Sequence, residues 1–526
     1  MKSEPKIIFN EYLKGVNFKE ALGTKGLCEQ TKINERFYVG DQWYGAKCGN
    51  DRPLVRYNVI KRIGDYKMSQ IVSAPVTVKF SANGVATDLH TKNNINLKKA
   101  ELSQNKISEF TGDIEAEEVN LIMSVLSDYR VSTAHRVGLD CLLATALKKA
   151  FISGTGIIYT YWDKGVDTDV SGDINCEVLD IENVFFADPF NTDLQNQPYI
   201  IIASRRDAGS LIRELGENKD AARSIKSDSD GRVLVLTKFY KQYLPDGKCT
   251  VRCVKSTENC IIRKDFDTHL TRYPLAAISW EERGGLIYGQ SEITYLIPNQ
   301  IAINRMITAN VWAGMTMGMP MMVVNGDTVT ADITNEPGQI IKVFGTNEDV
   351  AGAVKYVTPP DFSSEFSGNI KDLISNTLTQ SGANEVALGD SKADNATALI
   401  ALMDAATLPL QLLRKKYHKL ISEIALIWAD FWFNQYGKRS LCIEDENGVW
   451  YLPFDSNRYR DVSVSAKVSA SQNARASEAE ALNALTMLYE KGIISKKQYV
   501  KRLPDNLIPD KEGIIFELKE EENDGT

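Results

Sequence analysis

From Ile301 through Met317 apolar side chains recur at helical spacing, and Arg305 is the only ionic residue in that stretch. A helix so poor in charge predicts burial on most sides, either in a large core or against identical copies. Pro320 marks its stop, and short strands between polar turns are expected up to Val343. Upstream, residues 58–72 place Val59, Ile60, Ile63, Tyr66 and Ile71 in a helical register, and 113–153 predicts the first long helical region, closed by Gly154-Thr155-Gly156. Runs at 157–162, 175–180, 199–204, 233–243, 250–255 and 260–263 predict short strands, with one short helix at 208–215. A second helix is expected at 362–380, a polar loop at 382–395, and a longer helix at 396–436 that Pro409 kinks and Gly437 ends. Short strands at 441–443, 450–453 and 462–468 precede a helical C-terminal region with the acidic tail LKEEENDGT. No internal repeat interrupts this order.

At 526 residues the chain is long enough for two or more cores, and its 43% hydrophobic and 25% charged residues suit a folded protein rather than a disordered one. A net charge of −8 argues against a sequence-independent DNA clamp, which needs a basic surface to release counterions. The N-terminal MKSEPKIIFNEYLKG has scattered charges and no apolar core followed by a cleavage site, so no targeting signal is expected. No spanning segment is expected either: the most apolar run, 312–324, is short and broken by Gly and Pro. Eight mostly scattered cysteines suit reduced thiols in cytoplasm.

Catalytic readings find little support. His90, His135, His269 and His418 are far apart and in no ligand spacing. Cys249, Cys253 and Cys260 lack a fourth ligand and read as strand, turn and strand. Gly154-Thr155-Gly156 is a helix stop without the rest of a phosphate loop, and no GxSxG is present. The methionines 315, 317, 319, 321 and 322 read as packing at a helix end. Trp428, Phe431, Trp432, Phe433 and Tyr436 lack basic partners and read as core rather than a stacking platform for nucleic acid. Arg414, Lys415, Lys416 and Lys419 form a basic patch, either solvated or paired with acidic residues of a neighbouring chain.

Five blocks, NERFYVGDQW (34–43), NVIKRIGDYKMSQIVSAP (58–75), ALKKAFISGTGIIYTYWD (146–163), YGQSEITYLIPNQIAINRM (288–306) and NATALIALMDAATLPLQLL (395–413), together resemble the portal proteins, or head-to-tail connectors, of tailed double-stranded DNA bacteriophages. The resemblance implies an α+β portal fold. Its parts would be a mixed α/β wing (1–285), a first stem helix within 286–318 starting at Pro298, a small β-containing clip (319–361) and a second stem helix (362–381). A tunnel loop (382–395), a long kinked helix with the C-terminal part of the wing (396–470), and a short helical crown with the acidic tail (471–526) would follow.

The implied function is a ring of about twelve subunits at one capsid vertex, a channel for DNA packaging and exit. Implied site residues fall in three groups. Ile303, Ile307, Asn310, Gly314, Ile370 and Leu373 would pack stems between subunits, and the clip residues Asn325, Asp327, Asn335, Glu336, Asn347 and Glu348 would dock motor and adaptors. Asn384, Glu385, Asp390, Lys392, Asp394 and Asn395 would face the channel. Partners would be other copies of the chain, the terminase large subunit, major capsid and scaffolding proteins, head-tail adaptor or tail proteins, and double-stranded DNA bound without sequence specificity. No catalytic residue, metal or cofactor is implied, and the location would be the virion after assembly in the host cytoplasm. The alternatives are another head-tail adaptor or a metal-dependent enzyme.

Overall fold

The computed structural model describes residues 4–44, 53–73, 76–82, 116–166, 172–215, 223–245, 247, 249–317, 321–324, 327, 329, 354–357, 364–383, 407–445, 448–460, 462–470, 482–483, 485–503 and 514. Helices α1 (Pro5–Ala21), α2 (Leu27–Val39) and α3 (Val59–Val72) come first, followed by strand β1 (Val76–Ala82). The helical region expected over 113–153 is two helices, α4 (Ala116–Val137) and α5 (Leu139–Ser153), because Gly138 takes a left-handed φ of 67° between them. Gly154 ends α5 at φ 92°, the expected stop. The strand-rich middle runs β2 (Thr155–Asp163), β3 (Asp173–Leu179), β4 (Val184–Phe186), β5 (Tyr199–Asp207), α6 (Ala208–Leu215), β6 (Arg232–Tyr243), β7 (Cys249–Ser256) and β8 (Ile261–Asp267). It closes with β9 (Leu275–Ser279), β10 (Glu281–Arg283) and β11 (Leu286–Gln290).

After these come α7 (Ile293–Met317), β12 (Met321–Val324), β13 (Val354–Val357), α8 (Ser364–Gln380), α9 (Gln411–Gln435), β14 (Lys438–Asp445), β15 (Gly448–Asp455), β16 (Val464–Ala470) and α10 (Lys496–Arg502). The kink expected at Pro409 takes the form of a 3-10 turn, Leu408–Leu410, directly before α9. The part of the long helix expected at 396–406 and the acidic tail lie outside the described residues. Gly437 follows α9 with φ 64°, as expected for a helix stop.

The chain divides into two compact units. One joins Met1–Cys28, Lys67–Ser291 and Lys392–Thr526, and the other joins Glu29–Tyr66 and Glu292–Ser391. The fold is mixed α+β with several sheets.

In the first unit, β4-β5-β6-β7-β8 form an antiparallel sheet in that order, and β3-β2-β9 form a smaller one. Helix α1 lies on the larger sheet. Its Ile8 joins Phe185, Ile201, Ala203, Leu236 and Val254 in one buried cluster, with Phe9, Tyr12 and Val16 packed around it. The aromatic residues of α9 are core, as expected: Trp428 and Trp432 are fully buried, and Trp432 meets Phe80 and Tyr129 edge to face.

The basic patch on α9 divides. Lys416 pairs with Glu282 at 3.3 Å, and Arg414 donates to the Gln70 carbonyl at 2.9 Å, so these two are engaged within the chain rather than left for a neighbour. Lys415 and Lys419 are exposed.

The Gly154-Thr155-Gly156 segment is packed too closely to admit a ligand. A Cβ on Gly156 would stand 2.0 Å from the Ala146 carbonyl oxygen, and one on Gly154 would stand 2.3 Å from that of Gly289. Gly156→Ala is therefore expected to lower the unfolding free energy by about 2–3 kcal/mol through overpacking of backbone on backbone. Denaturant midpoints measure this, and an unchanged midpoint would mean that α5 and β2 separate freely.

Candidate functional site

In the second unit the chain runs out along α7, turns through a two-stranded antiparallel pair and returns along α8. Strand β12 pairs with β13 from Met321↔Val357 to Val324↔Val354. Helix α7 begins at Ile293 rather than at Pro298, which lies inside it. Burial of Ile293, Leu296 and Gln300 on either side holds that turn helical despite the hydrogen bond that proline cannot donate. Helices α7 and α8 touch through Asn299, whose amide donates to the Thr377 hydroxyl at 3.5 Å.

One face of α7 carries amides and a hydroxyl at Gln300, Asn304 and Thr308, spaced four apart and so stacked along the helix. Gln300 Oε1 accepts the backbone N–H groups of Val59 (3.0 Å) and Ile60 (3.3 Å), while its Nε2 donates to the Tyr57 carbonyl (2.7 Å) and Asn304 Oδ1 (3.0 Å). Asn304 accepts the Tyr57 N–H at 3.0 Å and donates to Gln42 Oε1 at 2.5 Å. Thr308 accepts the Val55 N–H at 3.2 Å. An irregular stretch ending at the start of α3 thus has its backbone donors satisfied by side chains of α7, where water is excluded: Gln300 is 1% exposed and Asn304 2%. The signal in the sequence is an amide repeated at a four-residue interval on an otherwise apolar helix.

The residues expected to pack between copies separate into two sets. Ile303 and Ile370 are buried within the chain itself. Ile307, Asn310 and Leu373 are half-buried, and Gly314 is exposed. Beyond Asn304 no described residue of α7 is fully buried. Val311 is 39% exposed and Met315 60%, and a Cβ on Gly314 would meet nothing within 4 Å. The N-terminal half of α7 is locked into its own chain, whereas its C-terminal half presents apolar surface. Arg305, the one ionic side chain of the helix, is also exposed.

Of the expected clip residues, Asp327 is exposed in a turn, and Asn325, Asn335, Glu336, Asn347 and Glu348 lie outside the described residues. So do Asn384, Glu385, Asp390, Lys392, Asp394 and Asn395 of the polar loop.

Among the described residues no group of three or more His, Cys, Asp or Glu side chains is placed to hold a metal ion. Cys249 and Cys253 lie on β7, and Cys260 stands just before β8, the strand, turn and strand expected. Burial pushes the Cys253 thiol up to about 12, far from the thiolate that nucleophilic chemistry needs. His418 is half-buried on α9, where burial and the neighbouring Arg414 lower its pKa. Among the described residues no helix is long and apolar enough to cross a membrane. No protein-family model matches the chain, and no curated protein matches it.

Proposed function

We propose that this chain is the subunit of a phage portal: a ring at one capsid vertex through which DNA is packaged and later leaves. The observation that carries the reading is α7. A helix of 25 residues has one ionic side chain, a buried polar spine over its first half, and a second half in which Val311 and Met315 are exposed. Apolar helix surface of this kind is stable in water only when something covers it, and copies arranged around a closed ring supply that cover without leaving an open end. Val311, Gly314 and Met315 form the inter-subunit face in this reading, with Ile307, Asn310 and Leu373 at its margin.

The net charge of −8 supports a conduit, because copies of an acidic chain repel a phosphate backbone and leave it free to slide. The β12–β13 end with Asp327 is then the docking point for the terminase large subunit and later the head-tail adaptors. The polar loop at 382–395 lines the channel. The shell contacts are made with the major capsid and scaffolding proteins during assembly in the host cytoplasm.

Negative-stain micrographs and mass photometry of the purified chain test this. Rings of about twelve subunits with a central hole are expected, and discrete monomers at micromolar concentration would remove the proposal. Gly314→Glu separates assembly from folding. Its side chain projects into open space in the subunit, so the folded chain is preserved. A charge in a desolvated ring contact lowers the ring fraction at least about tenfold. Rings of normal yield from this variant would mean that α7 is not the contact between copies.

A further inference from the structure

A cavity of about 590 Å³ opens in the first unit between α9, the chain after β8, and Arg460 with residues 462–464. Its size falls in the range of small-molecule sites, roughly 300–1,000 Å³. Leu426, Ala429 and Phe433 of α9 give it an apolar floor, and Arg272, Arg460 and His269 stand around it.

The loop carrying His269 and Arg272 is held from below by α9. Asp430 is buried, and both of its oxygens are taken. Oδ2 accepts the N–H groups of Thr271 (2.8 Å) and Arg272 (3.0 Å), while Oδ1 accepts the Thr271 hydroxyl (2.8 Å) and the Asn434 amide (2.9 Å). Gln435 donates to the Thr268 carbonyl at 2.9 Å. Asp267 is engaged too, accepting from the Thr250 hydroxyl at 2.5 Å and the His269 N–H at 2.7 Å. His269 adopts a left-handed φ of 59°, unusual for a residue other than glycine.

Both oxygens of Asp430 and Oδ1 of Asp267 are taken by these donors, Asp267 Oδ2 lies 3.8 Å from His269 Nδ1, and the guanidiniums of Arg272 and Arg460 make no salt bridge among the described residues. Each offers planar, paired N–H donors suited to a phosphate or carboxylate. Among the described lining residues the two guanidiniums are formally matched by Asp267 and Asp430. A ligand would be held by directed hydrogen bonds and by apolar contact.

We infer that this cavity binds a small organic anion, its phosphate or carboxylate on Arg272 and Arg460 and its apolar body on Leu426, Ala429 and Phe433. The inference stands independently of ring formation. Calorimetric titration of the full chain with phenyl phosphate and with benzoate tests it, with inorganic phosphate and phenol as the two halves of the ligand. At least one aromatic anion is expected to bind with Kd below about 1 mM, and whichever of the two binds more tightly identifies the anionic group. Inorganic phosphate and phenol are expected to bind at least about tenfold more weakly.

Arg272→Gln and Arg460→Gln should each weaken the aromatic anion about tenfold or more, the value of one lost charge-assisted hydrogen bond, and Arg460→Gln should leave the melting temperature unchanged. Arg460 is exposed and makes no ion pair among the described residues, so its replacement tests binding without disturbing the fold. The inference is overturned if neither anion binds at millimolar concentration, if phenol binds as well as phenyl phosphate, or if Arg460→Gln leaves affinity unchanged.

Discussion

Gln300→Leu is expected to cost about 2–4 kcal/mol of stability in the second unit, as much as a core truncation. Leucine fills similar space, so the loss is polar rather than steric. It strands the Ile60 N–H, leaves the Val59 N–H and the Tyr57 carbonyl with only their 3.0 Å bond to each other, and removes a donor from Asn304. Each buried backbone group left without a partner costs roughly 1–3 kcal/mol, because the unfolded chain gives it water and the folded chain gives it nothing. Amide hydrogen exchange provides the site-specific measurement. Protection at residues 55–60 should fall first and furthest, while protection in α9 is retained. Uniform loss across both units would mean that Gln300 is an ordinary core position, and no loss would mean that the 55–60 segment holds itself.

Stability is expected to rise between about pH 7 and pH 10, with Lys19 as a main source. The Lys19 ammonium is buried at the end of α1, 3.7 Å from the centre of the Phe185 ring, and donates to the carbonyls of Ile181 (2.5 Å) and Glu182 (3.0 Å). Burial pulls its pKa down to about 7, with Cys28 and Glu182 acting in the opposite direction. In the unfolded chain the same group titrates near 10.4. Between those values the unfolded chain keeps a proton that the folded chain has released, so stability increases with pH through that window and is flat below about 7. The gain at the upper end is on the order of 3 kcal/mol. Lys19→Met keeps apolar contact with Phe185 and removes the titration, so it should flatten the slope. Denaturant midpoints of both proteins at pH 7 and pH 10 compare the slopes, and equal slopes would exclude Lys19 as the cause.

Both predictions concern residues whose roles are hard to see in the chain. Lys19 and its first acceptor are 162 positions apart, and Thr271 and Asp430 are 159 apart. Lys19 lies just past the N-terminal MKSEPKIIFNEYLKG and carries no expectation, because the scattered charges of that region obscure the helix that carries it. Asp430 reads as an interruption in an aromatic cluster, yet it braces a loop from another part of the chain. Strand β1 has no counterpart among the sequence expectations because it is short and pairs with β16, almost a whole chain away. By contrast, α6 and β6 follow from their own residues, since alternation and a local apolar face do not depend on what lies opposite.

Ile303 and Gly314 belong to the same sparsely charged helix, and periodicity places both on it without separating their fates. The order of helices and strands, the stops at Gly154 and Gly437, the core character of the α9 aromatics and the oddity of α7 all come from local chemistry. Spacing, glycine conformation and charge act within a few residues. How deeply each part of α7 is covered, which carboxylate braces which loop, and which buried groups titrate depend on contacts between distant segments. Burial is a property of what lies opposite a side chain, and only the folded chain supplies that neighbour.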